Sequence, residues 1–110
     1  MSKELYEHRA RVFKALAHPT RLALMEALSQ GERCVCELQG LLGEQMPTIS
    51  KHLGVLRAAG LIADRKEGLW VHYRLACPCL PGFLECVDTV LQREAETHRR
   101  VAELAGGRER

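Results

Sequence analysis

Pro47-Thr48-Ile49-Ser50-Lys51-His52-Leu53-Gly54-Val55-Leu56-Arg57-Ala58-Ala59-Gly60 runs directly into Leu61-Ile62-Ala63-Asp64-Arg65-Lys66-Glu67-Gly68-Leu69-Trp70-Val71-His72-Tyr73-Arg74-Leu75. The period changes between the two halves. At about 100° per residue, with Ile49 at zero, Leu53 falls near 40° and Leu56 near −20°, so these three form a buried helical stripe. Lys51, Gly54, Ser50 and Thr48 face away, toward the N-terminal end that a recognition helix presents to base edges. Gly54 costs about 1 kcal/mol in a helix interior relative to Ala, and close approach of another backbone is a reason to keep it. From Leu61 to Arg65 the chain reads as a strand, Lys66-Glu67-Gly68 as a tight connection, and Leu69 to Leu75 as the returning strand. In the return, Leu69, Val71, Tyr73 and Leu75 alternate with Trp70, His72 and Arg74. A recognition helix followed by a basic-tipped hairpin predicts a winged helix-turn-helix.

The preceding residues supply the rest of the unit. Cys36 to Leu42 makes a short helix closed at Gly43, and Gly43-Glu44-Gln45-Met46 joins it to the helix that Pro47 opens. Upstream, Lys3 to Leu16 suits a helix carrying Leu5, Val12, Phe13 and Leu16. His18-Pro19 interrupts it, because a residue before proline avoids helical geometry. Pro19 then opens a second helix burying Leu22, Met25 and Leu28, which Gly31 ends. After the irregular stretch Ala76-Cys77-Pro78-Cys79-Leu80-Pro81-Gly82, a long helix runs from about Phe83 to about Ala105 with Phe83, Leu84, Val87, Val90, Leu91 and Val101 on one side. Such a stripe needs a partner. A twofold dimer through the first and last helices supplies one and spaces two recognition helices one DNA turn apart; alternatively both helices complete a monomer core. His98, on the apolar side, reads as a packing residue, as do Trp70 and Tyr73 of the wing.

The predicted architecture is therefore mainly α with a small β-hairpin, in one domain over residues 1–110. The helix-turn-helix covers about 35–60, the wing about 61–75 and the C-terminal dimerisation helix about 83–105. A chain of 110 residues and 12.4 kDa with 46% apolar residues holds one modest core and is not disordered overall. No apolar run approaches the ~20 residues that span a bilayer. Met1-Ser2-Lys3-Glu4 lacks the apolar segment of a signal peptide, so a cytoplasmic protein with no membrane partner is expected. In that compartment the five cysteines stay reduced and serve as ligands instead of disulfides.

The net charge of +2 is unevenly placed. Residues 1–44 carry six Lys/Arg against six acids, and residues 76–110 carry five against six. Residues 45–75 carry Lys51, Arg57, Arg65, Lys66 and Arg74 against only Asp64 and Glu67, an excess of three. Phosphate contact needs its cations in this middle third. The side chains expected on double-stranded operator DNA are Gln45, Thr48, Ser50, Lys51, His52 and Arg57 from the helix-turn-helix, with Arg65 and Lys66 from the wing.

Cys34-Val35-Cys36 stands just ahead of the helix-turn-helix. Thiolates are soft ligands for soft metal and metalloid ions, and a helix N-terminus favours the thiolate form. Two residues apart on a regular helix means about 200° of rotation, so the pair grips one ion only if the helix unwinds there or begins after Cys34. The alternative is that both are ordinary packed cysteines. An enzyme is not expected, since no nucleophile–base constellation, phosphate loop or strand–helix redox unit is present. Oxidation to a disulfide or persulfide is a different way for the same thiols to act.

These residues resemble the ArsR/SmtB family of metal- and metalloid-responsive repressors, over about Phe13 to Leu75. The likeness lies in Phe13-Lys14-Ala15-Leu16-Ala17-His18-Pro19-Thr20-Arg21, Cys34-Val35-Cys36-Glu37-Leu38, Ile49-Ser50-Lys51-His52-Leu53, Leu56-Arg57, Gly60-Leu61-Ile62 and Gly68-Leu69-Trp70-Val71-His72-Tyr73-Arg74-Leu75. The resemblance implies a winged-helix homodimer that holds operator DNA when ligand-free and lets go when an ion binds. It is nearest the arsenic-responsive branch, with arsenite or antimonite as inducer and no organic cofactor; cadmium, lead or zinc are alternatives. That branch commonly has a third cysteine three residues after the second, where this chain has Gln39. A trivalent arsenic or antimony centre prefers three thiolates, leaving Cys77, Cys79 and Cys86 as candidates to join Cys34 and Cys36, or to form a site of their own. The acidic and histidine ligand pattern of the zinc-responsive branch matches poorly, with Asp88 present but Val90 and Val101 where ligands are wanted.

Overall fold

The computed structural model describes residues 1–108. Five helices and three short strands follow one another: α1 (Lys3–Leu16), α2 (Pro19–Leu28), β1 (Arg33–Cys34), α3 (Val35–Leu42), α4 (Met46–Ala58), β2 (Ile62–Glu67), β3 (Trp70–Leu75) and α5 (Leu80–Arg108). This is the expected winged helix-turn-helix, mainly α with an antiparallel hairpin. The strands form one antiparallel sheet in the order β1-β3-β2. The chain divides into two compact units, Met1–Pro78 and Cys79–Arg110.

Local chemistry sets the element ends. The Ser2 side chain accepts from the Leu5 N–H at 3.2 Å and caps α1. His18 caps α2 with its ring Nδ1, which accepts from the Thr20 N–H at 3.1 Å, and Pro19 follows in the first turn. Gly43, at φ 70°, closes α3 with its N–H on the Gln39 carbonyl. At the end of α4 the Gly60 N–H donates to the Arg57 carbonyl and the Leu61 N–H to the Leu56 carbonyl, a Schellman closure that needs the positive φ of Gly60.

The core of the first unit is a small apolar cluster. Leu24 and Met25 of α2, Leu38 of α3, and Ile49, Leu53 and Leu56 of α4 have essentially no exposure. Full burial of such side chains stabilises by roughly 1.5–3 kcal/mol each. The buried stripe of α4 is the one its spacing predicts. In α2 the expected Leu22 lies partly exposed and Leu24 takes the interior position.

The hairpin differs from expectation at its tip. Glu67 pairs with Trp70 and Lys66 with Val71, so the connection is only Gly68-Leu69. Gly68 has φ 62°, which is why glycine leads this two-residue turn. Leu69 is fully exposed instead of facing the core, and Trp70 is more than half exposed. The added strand β1 was not legible because two residues carry no measurable period.

In the second unit, α5 begins at Leu80 and extends through Gly106-Gly107 to Arg108. Phe83, Val87, Val90, Leu91, Val101 and Leu104 are exposed along it. No helix among the described residues is long and apolar enough to cross a membrane.

Candidate nucleic-acid interface and thiol pair

Helix α4 presents one polar side. Gln45 is its exposed N-cap, Ser50 and Lys51 are exposed, and Thr48 is half-buried. Gly54 is exposed, and a Cβ built there meets nothing within 4 Å. Nothing among the described residues therefore requires glycine at that position.

The basic residues of the middle third do not form one uniform patch. Arg57 Nε lies 3.1 Å from Asp64 Oδ1 on β2. Arg65 donates to Glu32 through Nε at 2.9 Å and to Glu67 at 2.9 Å, and these carboxylates push its pKa up. Glu32, held below the usual carboxylate range chiefly by the Arg65 hydrogen bond, comes from the turn before β1. His72 sits across from Arg65 in the ladder, with its Nε2 3.6 Å from Glu67. Arg57 and Arg65, both expected on DNA, thus act first as ties within the fold. Lys51 and Lys66 pair with no acid among the described residues.

His52 is the one expected contact that lies on the wrong side. It is 6% exposed and faces the interior. Its ring centroid lies 4.2 Å from that of His18, the planes tilted by 37°, and its Nδ1 is 3.3 Å from Arg21 Nη1. Helical projection puts it at about −60°, beside Leu56 at the edge of the buried stripe, and His18 and Arg21 at the start of α2 close over it.

The thiols occupy a junction. Cys34 is the N-cap of α3, with extended backbone at φ −81° and ψ 164°, and it is also a β1 residue paired with His72 of β3. The helix begins at Val35, so only Cys36 lies within it, and the opposition of two thiols on a regular helix does not arise. The Cys34 N–H donates to Glu37 Oε1 at 3.2 Å. That bond, followed by the Cys34 side chain and by Arg33, holds the Glu37 carboxyl below its ordinary range. Cys34 is half-buried and Cys36 exposed; Cys77 is half-buried, while Cys79 and Cys86 are exposed. Among the described residues no three His, Cys, Asp or Glu side chains gather as a metal-binding group. The donor set fits a soft ion in kind, with two sulfurs at one junction, but is short of a three-sulfur centre.

Sequence reasoning missed β1, the Glu32–Arg65–Glu67–His72 cluster and the His18–Arg21–His52 cluster. Glu32 two residues before Cys34 was the only linear sign of the first cluster, and the His18-Pro19-Thr20-Arg21 segment the only sign of the second.

Comparison with known proteins agrees with this geometry. Residues 18–64 match the model of the family described as bacterial regulatory protein, arsR family. The arsenical resistance operon repressor of Escherichia coli (strain K12) is 50% identical over 87 residues, 77% of this chain and 74% of that protein. An arsenic resistance transcriptional regulator of Pseudomonas putida, ArsR2, is 44% identical over 77% of this chain and 75% of its own length. The solution structure of a homodimeric winged helix-turn-helix DNA-binding domain from Mycobacterium bovis superposes with a TM-score of 0.74 at 33% identity, covering 88% of this chain and 93% of that one. A recognition helix, a wing and a thiol pair at the mouth of the helix-turn-helix thus come together with these likenesses: the chain belongs to the arsR family of bacterial regulatory proteins, DNA-binding transcription regulators and not enzymes.

Proposed function

We propose that the chain is an operator-binding repressor, acting as a homodimer in the cytoplasm, that releases DNA when arsenite or antimonite is captured by Cys34 and Cys36. The observation that carries this reading is the double role of Cys34, at once the cap of α3 and a rung of the ladder to wing strand β3. Helix α3 packs against the recognition helix, and β3 forms half the wing. A sulfur drawn toward an ion at this point strains both DNA-facing elements together. Only an ion that binds the released conformation more tightly can shift the balance. A coupling of about 1–3 kcal/mol, roughly 5- to 150-fold in DNA affinity, is the usual size. Reduced thiols are the cytoplasmic norm.

Names of the E. coli and P. putida relatives support arsenic as the class of inducer. The homodimeric M. bovis domain supports the dimer, as do the exposed apolar residues of α5. Cys77, Cys79 and Cys86 remain as further sulfur donors, and single replacement by Ser shows which one takes part.

On the DNA side, Gln45, Thr48, Ser50 and Lys51 meet base edges and phosphates in the major groove. Lys66 meets a flanking phosphate. Arg57 and Arg65 hold α4 to β2 and the wing to the Glu32 turn.

The deciding experiment titrates reduced protein on its own promoter with arsenite, antimonite, cadmium, lead, zinc and oxidant. Arsenite or antimonite is expected to release the parent. Replacing Cys34 and Cys36 together by Ser is expected to keep operator binding and abolish that release. Release that survives the double replacement moves the sensor to the other cysteines. Release by oxidant alone makes it a redox device.

A further inference from the structure

Three side chains outside the thiol junction tie the recognition helix to the rest of the fold. His18 and Arg21 come from the start of α2, His52 from α4. Arg21 Nη1 reaches His52 Nδ1 at 3.3 Å, and Arg21 Nη2 donates to the Lys14 carbonyl of α1 at 3.4 Å. A guanidinium has no acceptor, so the His52 Nδ1 must accept. The His18 Nδ1 likewise accepts, from the Thr20 N–H. The His52 ring is therefore neutral, with its proton on Nε2. The His18 and His52 ring centroids are 4.2 Å apart with the planes tilted by 37°, and His52 is buried.

The surroundings oppose a further positive charge. Arg11 and Lys14 of α1 line the recess beside Arg21, Lys51 neighbours His52 on α4, and Glu44 from the α3–α4 connection is the one acid acting on it. Asp64 on β2 is taken by Arg57, and Glu37 on α3 by Arg33 and the Cys34 N–H. No carboxylate pairs with Arg21 among the described residues, and its Nε is buried without a hydrogen-bond partner.

We propose that His18, Arg21 and His52 form a proton-sensitive clasp that positions the recognition helix in its DNA-gripping seat only while the His52 imidazole is neutral. A proton on the His52 Nδ1 sets N–H against the guanidinium N–H and breaks the α2–α4 strut. Acidification then weakens operator binding with no ion present. The linkage has one sign: burial, with His18 and Arg21 adding to it, pushes the His52 pKa below its ordinary 6.5. The opened state takes the proton first, so the clasp is intact above that value and is lost as pH falls below it.

The test follows the affinity of reduced, ion-free protein for its promoter duplex at fixed ionic strength, from about pH 7.5 to about pH 5.5. The parent is expected to lose affinity below about pH 6.5, by up to about tenfold per pH unit for each clasp of the dimer, until the seated His52 itself takes a proton. Protonated histidines near phosphates alone produce the reverse slope. His52→Asn offers an amide oxygen to Arg21 and cannot titrate, so its acid loss is expected to be flattened. The same loss in parent and variant overturns the clasp. Should His52→Asn not fold, imidazole nitrogen shifts of the parent decide instead. An Nε2–H tautomer for His52 at about pH 7.5 supports the proposal, and an Nδ1–H His52 or a His52 ring already charged at about pH 6.5 overturns it. The acid loss is expected unchanged after Cys34 and Cys36 are both replaced by Ser, which separates it from ion sensing.

Discussion

Gly54 shows how a single residue reports on a surface that the chain itself leaves open. A helix interior favours Ala over Gly by roughly 0.5–1 kcal/mol, and nothing among the described residues lies where the added methyl goes. Gly54→Ala is therefore expected to raise the midpoint of thermal unfolding. If the DNA backbone passes close by, the same substitution weakens operator affinity; unchanged affinity places the duplex elsewhere on α4. The two unpaired lysines give a second measurement. Lys51→Ala and Lys66→Ala are each expected to lower the slope of log affinity against log salt by about 2 for the dimer, one phosphate contact in each protomer. Arg65→Ala is different, because Arg65 is bound to Glu32 and Glu67. It is expected to loosen the wing and lower stability before it changes the salt slope. Equal salt slopes for parent and Lys66→Ala, with a reduced slope for Arg65→Ala, reverse this assignment.

The junction of β1 and α3 decides how the thiols act as a unit. Extended backbone at Cys34 turning into helix at Val35 puts the two cysteines on different kinds of backbone. Gln39, half-buried, stands three residues after Cys36 on the same helix, close to the same face. Gln39→Cys is expected to complete a three-sulfur group with Cys34 and Cys36 at the N-terminal end of α3. Arsenite affinity, read from thiolate-to-ion absorption in the ultraviolet, then rises above the parent's. No gain means that the parent already has its third sulfur. The capping interaction at this junction titrates as well. Glu37 is held below its ordinary 4.5 by the Cys34 N–H, so its contribution is present above that value and disappears as pH falls through the lower folded one. In the core, Leu38→Ala and Leu53→Ala are expected to cost about 2–5 kcal/mol each in denaturant unfolding, since both side chains are fully enclosed.

For the whole molecule, the exposed apolar residues of α5 are the principal unsatisfied surface. A helix of 29 residues is about 44 Å long, and Val87, Val90, Leu91, Val101 and Leu104 are all exposed along it. Leu91→Lys is expected to shift sedimentation toward monomer and to lower operator affinity, because one monomer holds only one half-site. A monomeric parent under the same conditions removes the dimer from the proposal. The helices and the wing were legible in linear sequence because each has its own period, cap or breaker: His18-Pro19, Gly43, Gly60 and Gly68 mark ends that geometry enforces. So was the thiol pair beside the helix-turn-helix, since adjacency along the chain survives folding. Pairings between distant segments were not. Strand β1 exists only because Arg33 and Cys34 find Tyr73 and His72 across the sheet. The inward turn of His52 and the neutralisation of Arg57 and Arg65 depend on Arg21, Asp64 and Glu32, which no spacing rule connects to them. Periodicity records which face of an element is apolar. Which charged side chain remains available for DNA is settled by what the fold brings against it.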